Sequence, residues 1–128
     1  MPATPPPPQF KDEVRIVFMT TVYEKMRMFY ERTLGLRVLD EWDAPEEHNR
    51  GVVYDLNGTQ LEILEATDAP VILGSYTYIE VADVNELWER LSSTVQIAEP
   101  IADRPWKHRN FSIKDPGGFT LKFFSKLP

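Results

Sequence analysis

The 128-residue chain predicts an α+β fold built from two tandem βαβββ modules. Three observations carry that expectation. The stretch Pro105 to Phe124, PWKHRNFSIKDPGGFTLKFF, holds two strand-like runs around the turn Asp115-Pro116-Gly117-Gly118. Proline at the second turn position presets φ, and the glycines accept positive φ, so the chain can reverse there. An Asn57-Gly58 pair stands between two further apolar runs, Gly51 to Leu56 and Thr59 to Ala66, and Asn-Gly is a strong short-range hairpin signal. Finally, the elements before each hairpin follow the same order, which marks an internal repeat.

The first ten residues contain five prolines, four of them consecutive, and read as an extended tail without a packing partner. A single domain then spans 11–128: module one over 11–66, a linker over 67–74 and module two over 75–128. Val14 to Thr20 is the first strand, its apolar residues suggesting burial on both faces. Thr21 and Glu24 have capping-box spacing. Val22, Met26, Phe29, Tyr30 and Thr33 follow at helical intervals, with Gly35 as the C-terminal stop. Leu36 to Trp42 is the second strand, and 43–49 is a charged loop.

In module two, Ser75 to Val81 is a strand. Asp83 and Glu86 repeat the capping geometry, and Leu87, Trp88 and Leu91 make a helical stripe. Val95 to Glu99 is a strand, followed by an irregular passage through Pro100 and Pro105 to the last hairpin.

Composition bounds the function. There are no cysteines, so disulfides, thiolate catalysis and cysteine-ligated zinc are excluded. No apolar run approaches the roughly 20 residues needed to span a bilayer. The amino terminus lacks the apolar segment of a signal peptide, and the cytoplasm is the expected compartment. A net charge of −6 argues against nucleic acid or an anionic membrane as partner and mildly favours neutral or cationic ligands. No nucleophile elbow, phosphate-binding loop or dinucleotide fingerprint is present. His48, in EEHNR, reads as solvated. His108 has no second histidine nearby in sequence to suggest a ligand pair.

Phe29 to Val38, FYERTLGLRV, and the Pro105–Phe124 hairpin resemble elements of the glyoxalase / bleomycin-resistance / extradiol-dioxygenase superfamily, the vicinal oxygen chelate proteins. The resemblance covers residues 13–125. It implies curled sheets around a shared cavity and a homodimer. It also implies a divalent metal held by His, Glu or Gln from the first and last strands of each module. Carried over one by one, those positions fall on Arg15, Glu62, Tyr76 and Lys122. Only Glu62 is a plausible ligand, because cationic Arg and Lys offer no free donor pair, and one carboxylate does not make a metal site. The expectation is therefore no metal and no cofactor, with Glu62 the one candidate for a catalytic base or retained ligand.

Arg15 and Lys122 could instead flank Glu62 as an internal ion-pair cluster beside Tyr76, either structural or orienting a polar ligand. Strand alternation turns Val17, Met19, Tyr78, Glu80 and Phe124 to the same side, with Trp42 and Trp106 at the rim. Trp88 belongs to the core. Such walls suit a flat aromatic or cationic small molecule, drawn by Glu62, Glu80 and Asp103, or else fill a dimer interface. The reading that results is metal-independent binding or sequestration, the mode associated with antibiotic resistance. The alternatives are a metal-dependent lyase or dioxygenase of the glyoxalase type, or a non-catalytic dimerising module.

Overall fold

The computed structural model describes residues 3–70 and 74–128; the centre of the expected linker, 71–73, and the first two residues of the tail lie outside the described residues. Residues 3–13 are exposed and carry no helix or strand. Module one comprises β1 (Val14–Thr20), α1 (Tyr23–Met28) continued by a wider π turn over Phe29–Thr33, β2 (Val38–Ala44), β3 (Asn49–Leu56) and β4 (Thr59–Glu65). Module two comprises β5 (Thr77–Glu80), α2 (Val84–Leu91), β6 (Gln96–Asp103), β7 (His108–Lys114) and β8 (Thr120–Lys126). The strand orders are β1-β4-β3-β2 and β5-β8-β7-β6, two open mixed sheets with one topology. In each, the first strand lies parallel to the last, and the hairpin strands are antiparallel. The βαβββ repeat thus holds.

Both turns work by backbone sterics. Asn57 and Gly58 sit at φ 56° and 107°, the paired positive values of a type I′ turn, whose twist matches that of the strands it joins. In the second hairpin, Gly118 N–H donates to Asp115 O at 3.0 Å and Gly118 takes φ 91°. The Asp115 side chain completes that turn: its Oδ1 accepts from the Gly117 and Phe119 amides, both at 2.9 Å.

Each sheet has one face packed and one open. On the packed side, Phe18, Val52, Tyr54, Leu61 and Ile63 of sheet one meet Tyr23, Met26 and Tyr30. Phe111, Ile113, Leu121 and Phe123 of sheet two meet Val84 and Leu91 of α2. Burial of these side chains is worth roughly 1.5–3 kcal/mol each before the entropy of ordering them is counted. The modules meet at the Asp115 turn. Phe119 stacks on Phe18 with ring centroids 4.1 Å apart and 4° between planes. A Cβ on Gly117 would stand 3.1 Å from the Met26 thioether, so the absence of a side chain lets this turn lie against α1.

Several sequence expectations change. β1 is not buried on both faces: Phe18 and Thr20 are buried, whereas Val17 and Met19 are about half exposed. Its apolar run reflects an open apolar face rather than a second covering layer. Thr21 does not cap α1; the Thr20 hydroxyl one residue earlier accepts from the Val22 amide at 3.0 Å, and no side chain caps the helix. Asp83 does cap α2, accepting from the Glu86 amide at 3.1 Å. β2 begins at Val38, and β6 continues through Pro100 to Asp103. Proline is tolerated there because β6 is an edge strand whose register shifts between Glu99 and Ala102.

Candidate functional site

The open faces carry the residues that the sequence singled out. Cross-strand pairs share a face, so Val17 lies beside Glu62 and Met19 beside Leu64 on sheet one, and Tyr78 lies beside Lys122 and Glu80 beside Phe124 on sheet two. Where β1 meets the start of β5 and β8, a cleft of about 550 Å³ opens, with Val17, Tyr76, Tyr78, Lys114 and Phe119 on its walls. Of the expected cavity residues, this cleft gathers Val17, Tyr76 and Tyr78. Arg15, Met19, Trp42, Glu62, Glu80, Trp106, Lys122 and Phe124 are not on its walls.

Trp42 lies within β2 rather than at a loop edge. Its indole covers Gly51 of β3 so closely that a Cβ there would clash, with Cε2 only 2.8 Å away. Its N–H donates to Asn49 Oδ1 at 2.7 Å. Trp88 packs edge-on against Phe111 at 5.2 Å, as a core residue should.

The four positions that correspond to metal ligands do not form one cluster. Arg15 donates to Glu62 at 2.9 Å on sheet one and also pairs with Glu13 at 2.5 Å. Those two carboxylates, Glu62 first, raise the arginine pKa. Lys122 does not reach Glu62. Its ammonium pairs with Glu99 at 3.0 Å and stands 4.8 Å from the Tyr76 ring centroid. Glu99, held also by Ser112 Oγ–H at 3.2 Å, has its pKa lowered chiefly by the Lys122 bond. Each sheet therefore neutralises its own pair, and Glu99, missed in the sequence because it precedes Pro100, is the partner of Lys122. Among the described residues no three His, Cys, Asp or Glu side chains converge on a common point. A donor set of Arg15, Glu62, Tyr76 and Lys122 does not fit a divalent metal.

The carboxylates expected to draw cations are likewise engaged. Glu80 faces Lys126 at 3.7 Å, and Asp103 takes a two-point contact from Arg109, the shorter at 2.6 Å.

What sequence reasoning missed is the group around Tyr78. Its hydroxyl accepts from Trp106 Nε1–H at 3.2 Å and from Asn110 Nδ2–H at 3.3 Å, and lies 2.7 Å from His108 Nδ1. With both lone pairs used, the role left to the phenol towards Nδ1 is that of donor. Asn110 is fully buried and fixed from the other side by Arg104 Nε–H at 2.9 Å. The Tyr78 and His108 rings both lie nearly parallel to Phe124, each 4.3 Å from it. His108 opens β7 instead of lying in an irregular approach, and strand alternation places His108, Asn110 and Ser112 on one face. That alternation is legible in HRNFS once the strand start is known.

This geometry is that of a paired βαβββ protein with an open, aromatic site. The sequence profile of the Glyoxalase/Bleomycin resistance protein/Dioxygenase superfamily matches residues 14–123, and the chain belongs to that superfamily. Solved structures agree on the fold. A glyoxalase family protein from Enterococcus faecalis is 22% identical, with 91% of this chain and 97% of that one covered and a TM-score of 0.71. TioX from Micromonospora sp. ML1 is 18% identical over 91% of this chain and 100% of its own, with a TM-score of 0.73. A glyoxalase/bleomycin resistance protein/dioxygenase from Alicyclobacillus acidocaldarius is 16% identical, covering 91% and 92%, with a TM-score of 0.72. A search of curated protein sequences gave no match. No helix among the described residues is long and apolar enough to cross a membrane.

Proposed function

We propose that the protein binds or sequesters a flat small molecule, aromatic or cationic, without a metal. The observation that carries this reading is the cleft at the module junction, walled by the exposed rings of Tyr76 and Tyr78. Tyr78 is held in place by Trp106, His108 and Asn110 rather than free to collapse. A ring that is fixed and still exposed keeps its π face for a ligand at little ordering cost. A cationic ligand would be held by that π face, since the nearby carboxylates already face the chain's own cations. Val17 shares the cleft wall, and Arg15, Met19 and Glu62 on sheet one and Lys122 and Phe124 on sheet two lie beyond it. The ligand class is the same whether one chain or a homodimer encloses the cleft.

Two measurements on the full chain test it. Ethidium, a planar aromatic cation, should quench tryptophan emission in a saturable way, and Tyr78→Ala with Trp106→Phe should abolish the effect. Elemental mass spectrometry of protein purified without chelators or a histidine tag should find well under one transition metal per chain. Stoichiometric metal would favour the metal-dependent lyase or dioxygenase reading, with a ligand set other than the four positions above, and assays for those activities would follow. Neither metal nor quenching would leave a non-catalytic dimerising module.

A further inference from the structure

The second cavity lies on the other side of the module junction, on the helix-packed side of the sheets. It encloses about 210 Å³ between the modules and is lined by apolar side chains, among them Leu34, Leu36, Leu56, Ile79, Val81 and Leu87. An apolar cavity of roughly 150 Å³ can take up a benzene, so a phenyl ring or a short alkyl chain has room here. Among the described residues, the one cationic side chain on its wall is Arg90, near the end of α2.

Arg90 is unusual in this chain. Of the eight arginines, Arg15, Arg27, Arg37, Arg50, Arg104 and Arg109 are each in an ion pair. The two that form none among the described residues are Arg90 and Arg32. Both line the same hollow beside Leu34, Gly35 and Leu91, which adjoins the cavity through Leu34 and Arg90. Arg90 donates one hydrogen bond across the junction, Nη2–H to Leu34 O at 3.2 Å, and a guanidinium has four further donors. On a chain of net charge −6, two exposed guanidiniums that form no ion pair among the described residues are gathered in a hollow that adjoins an apolar cavity.

We propose that this cavity binds an amphipathic monocarboxylate, with its short hydrocarbon tail between the modules and its carboxylate on Arg90 and Arg32. The tail covers apolar surface that the two modules leave open. The carboxylate takes charge-assisted, geometrically matched bonds from the arginine forks. The site is separate from the aromatic cleft and stands whether or not that cleft binds a ligand.

The test is an amide NMR titration of the full chain with octanoate and with 1-octanol, its neutral counterpart. Octanoate should shift the amides of Leu34, Ile79 and Leu87 saturably, and should bind at least tenfold more tightly than octanol. Arg32→Gln with Arg90→Gln, both at exposed positions, should erase that preference while octanol binding persists. The proposal is overturned if octanoate leaves those amides unmoved, or shifts only residues of the Tyr76–Tyr78 cleft. Survival of the preference in the double variant overturns it too. So does loss of octanol binding in that variant, which would make the arginines supports of the cavity rather than readers of a carboxylate.

Discussion

The Tyr30 hydroxyl donates to Asp115 Oδ2 at 2.6 Å, a buried bond that joins the helical segment of module one to the hairpin turn of module two, 85 residues away in sequence. The same carboxylate organises its own turn through two backbone amides. One side chain thus shapes the turn and docks it, and the neighbouring Phe18–Phe119 stack seals the same junction. Both the aromatic cleft and the cavity beneath Arg90 include Phe18 on their walls, so the spacing of the modules sets the shape of both sites.

Removing the donor should therefore cost more than an ordinary surface change. Tyr30→Phe leaves a carboxylate that is only 4% exposed without its side-chain partner, and a hydrogen bond to a charged group is worth about 1.5–3 kcal/mol. The pH dependence has a definite sign. Burial raises the Asp115 pKa above its ordinary value, against the Tyr30 bond, which lowers it. The folded state therefore binds this proton more tightly than the unfolded state. The contribution is fully present below the unfolded carboxylate pKa and is lost as pH rises through the folded value. Tyr30→Phe should steepen that loss, and Asp115→Asn should remove it. Urea unfolding midpoints measured from pH 3.5 to 7 check both.

Tyr78→Phe removes one oxygen and leaves three groups without their partner. Asn110 is the costly one, because its amide N–H is then buried and unbonded, a penalty of about 1–3 kcal/mol. Trp106 is more than half exposed and can turn to water. The expected result is a lower unfolding midpoint together with a red shift in tryptophan emission. A midpoint change without the emission shift would show that Trp106 is not held by Tyr78.

The contrast between these two sites shows what a sequence can reveal. Turn chemistry is local, so Asp115-Pro116-Gly117-Gly118 and Asn57-Gly58 locate both hairpins, and the repeat then yields the element order of both modules. The Asp115–Tyr30 bond is not local, and nothing in either segment names its partner. The open faces show the same limit. Alternation places Tyr78 and Lys122 on one side correctly, but the partner of Lys122 depends on β6 running through Pro100. A proline that reads as the end of a strand hides Glu99. Arg15 and Glu62 were legible as a pair through the family resemblance, which assigns one to the first and the other to the last strand of module one; in the structure those strands are adjacent and parallel, and the pair forms.

Lys122→Met tests that revised pairing. Lys122 is the main cause of the lowered Glu99 pKa. A carboxylate with a lowered folded pKa stabilises the protein above its unfolded pKa, and that contribution disappears as pH falls through the folded value. Without the ammonium, the Glu99 titration should move up towards the ordinary glutamate range, as read from its side-chain carboxyl carbon by NMR. The stability cost at neutral pH should stay within about 1 kcal/mol, because Glu99 is half exposed and water screens the pair. Arg15→Gln should leave the Glu99 titration where it is, since Arg15 serves Glu62 on the other sheet. A shift of Glu99 in that variant would mean that the four positions act as one coupled cluster after all, and the open site would then have to be treated as a single electrostatic unit.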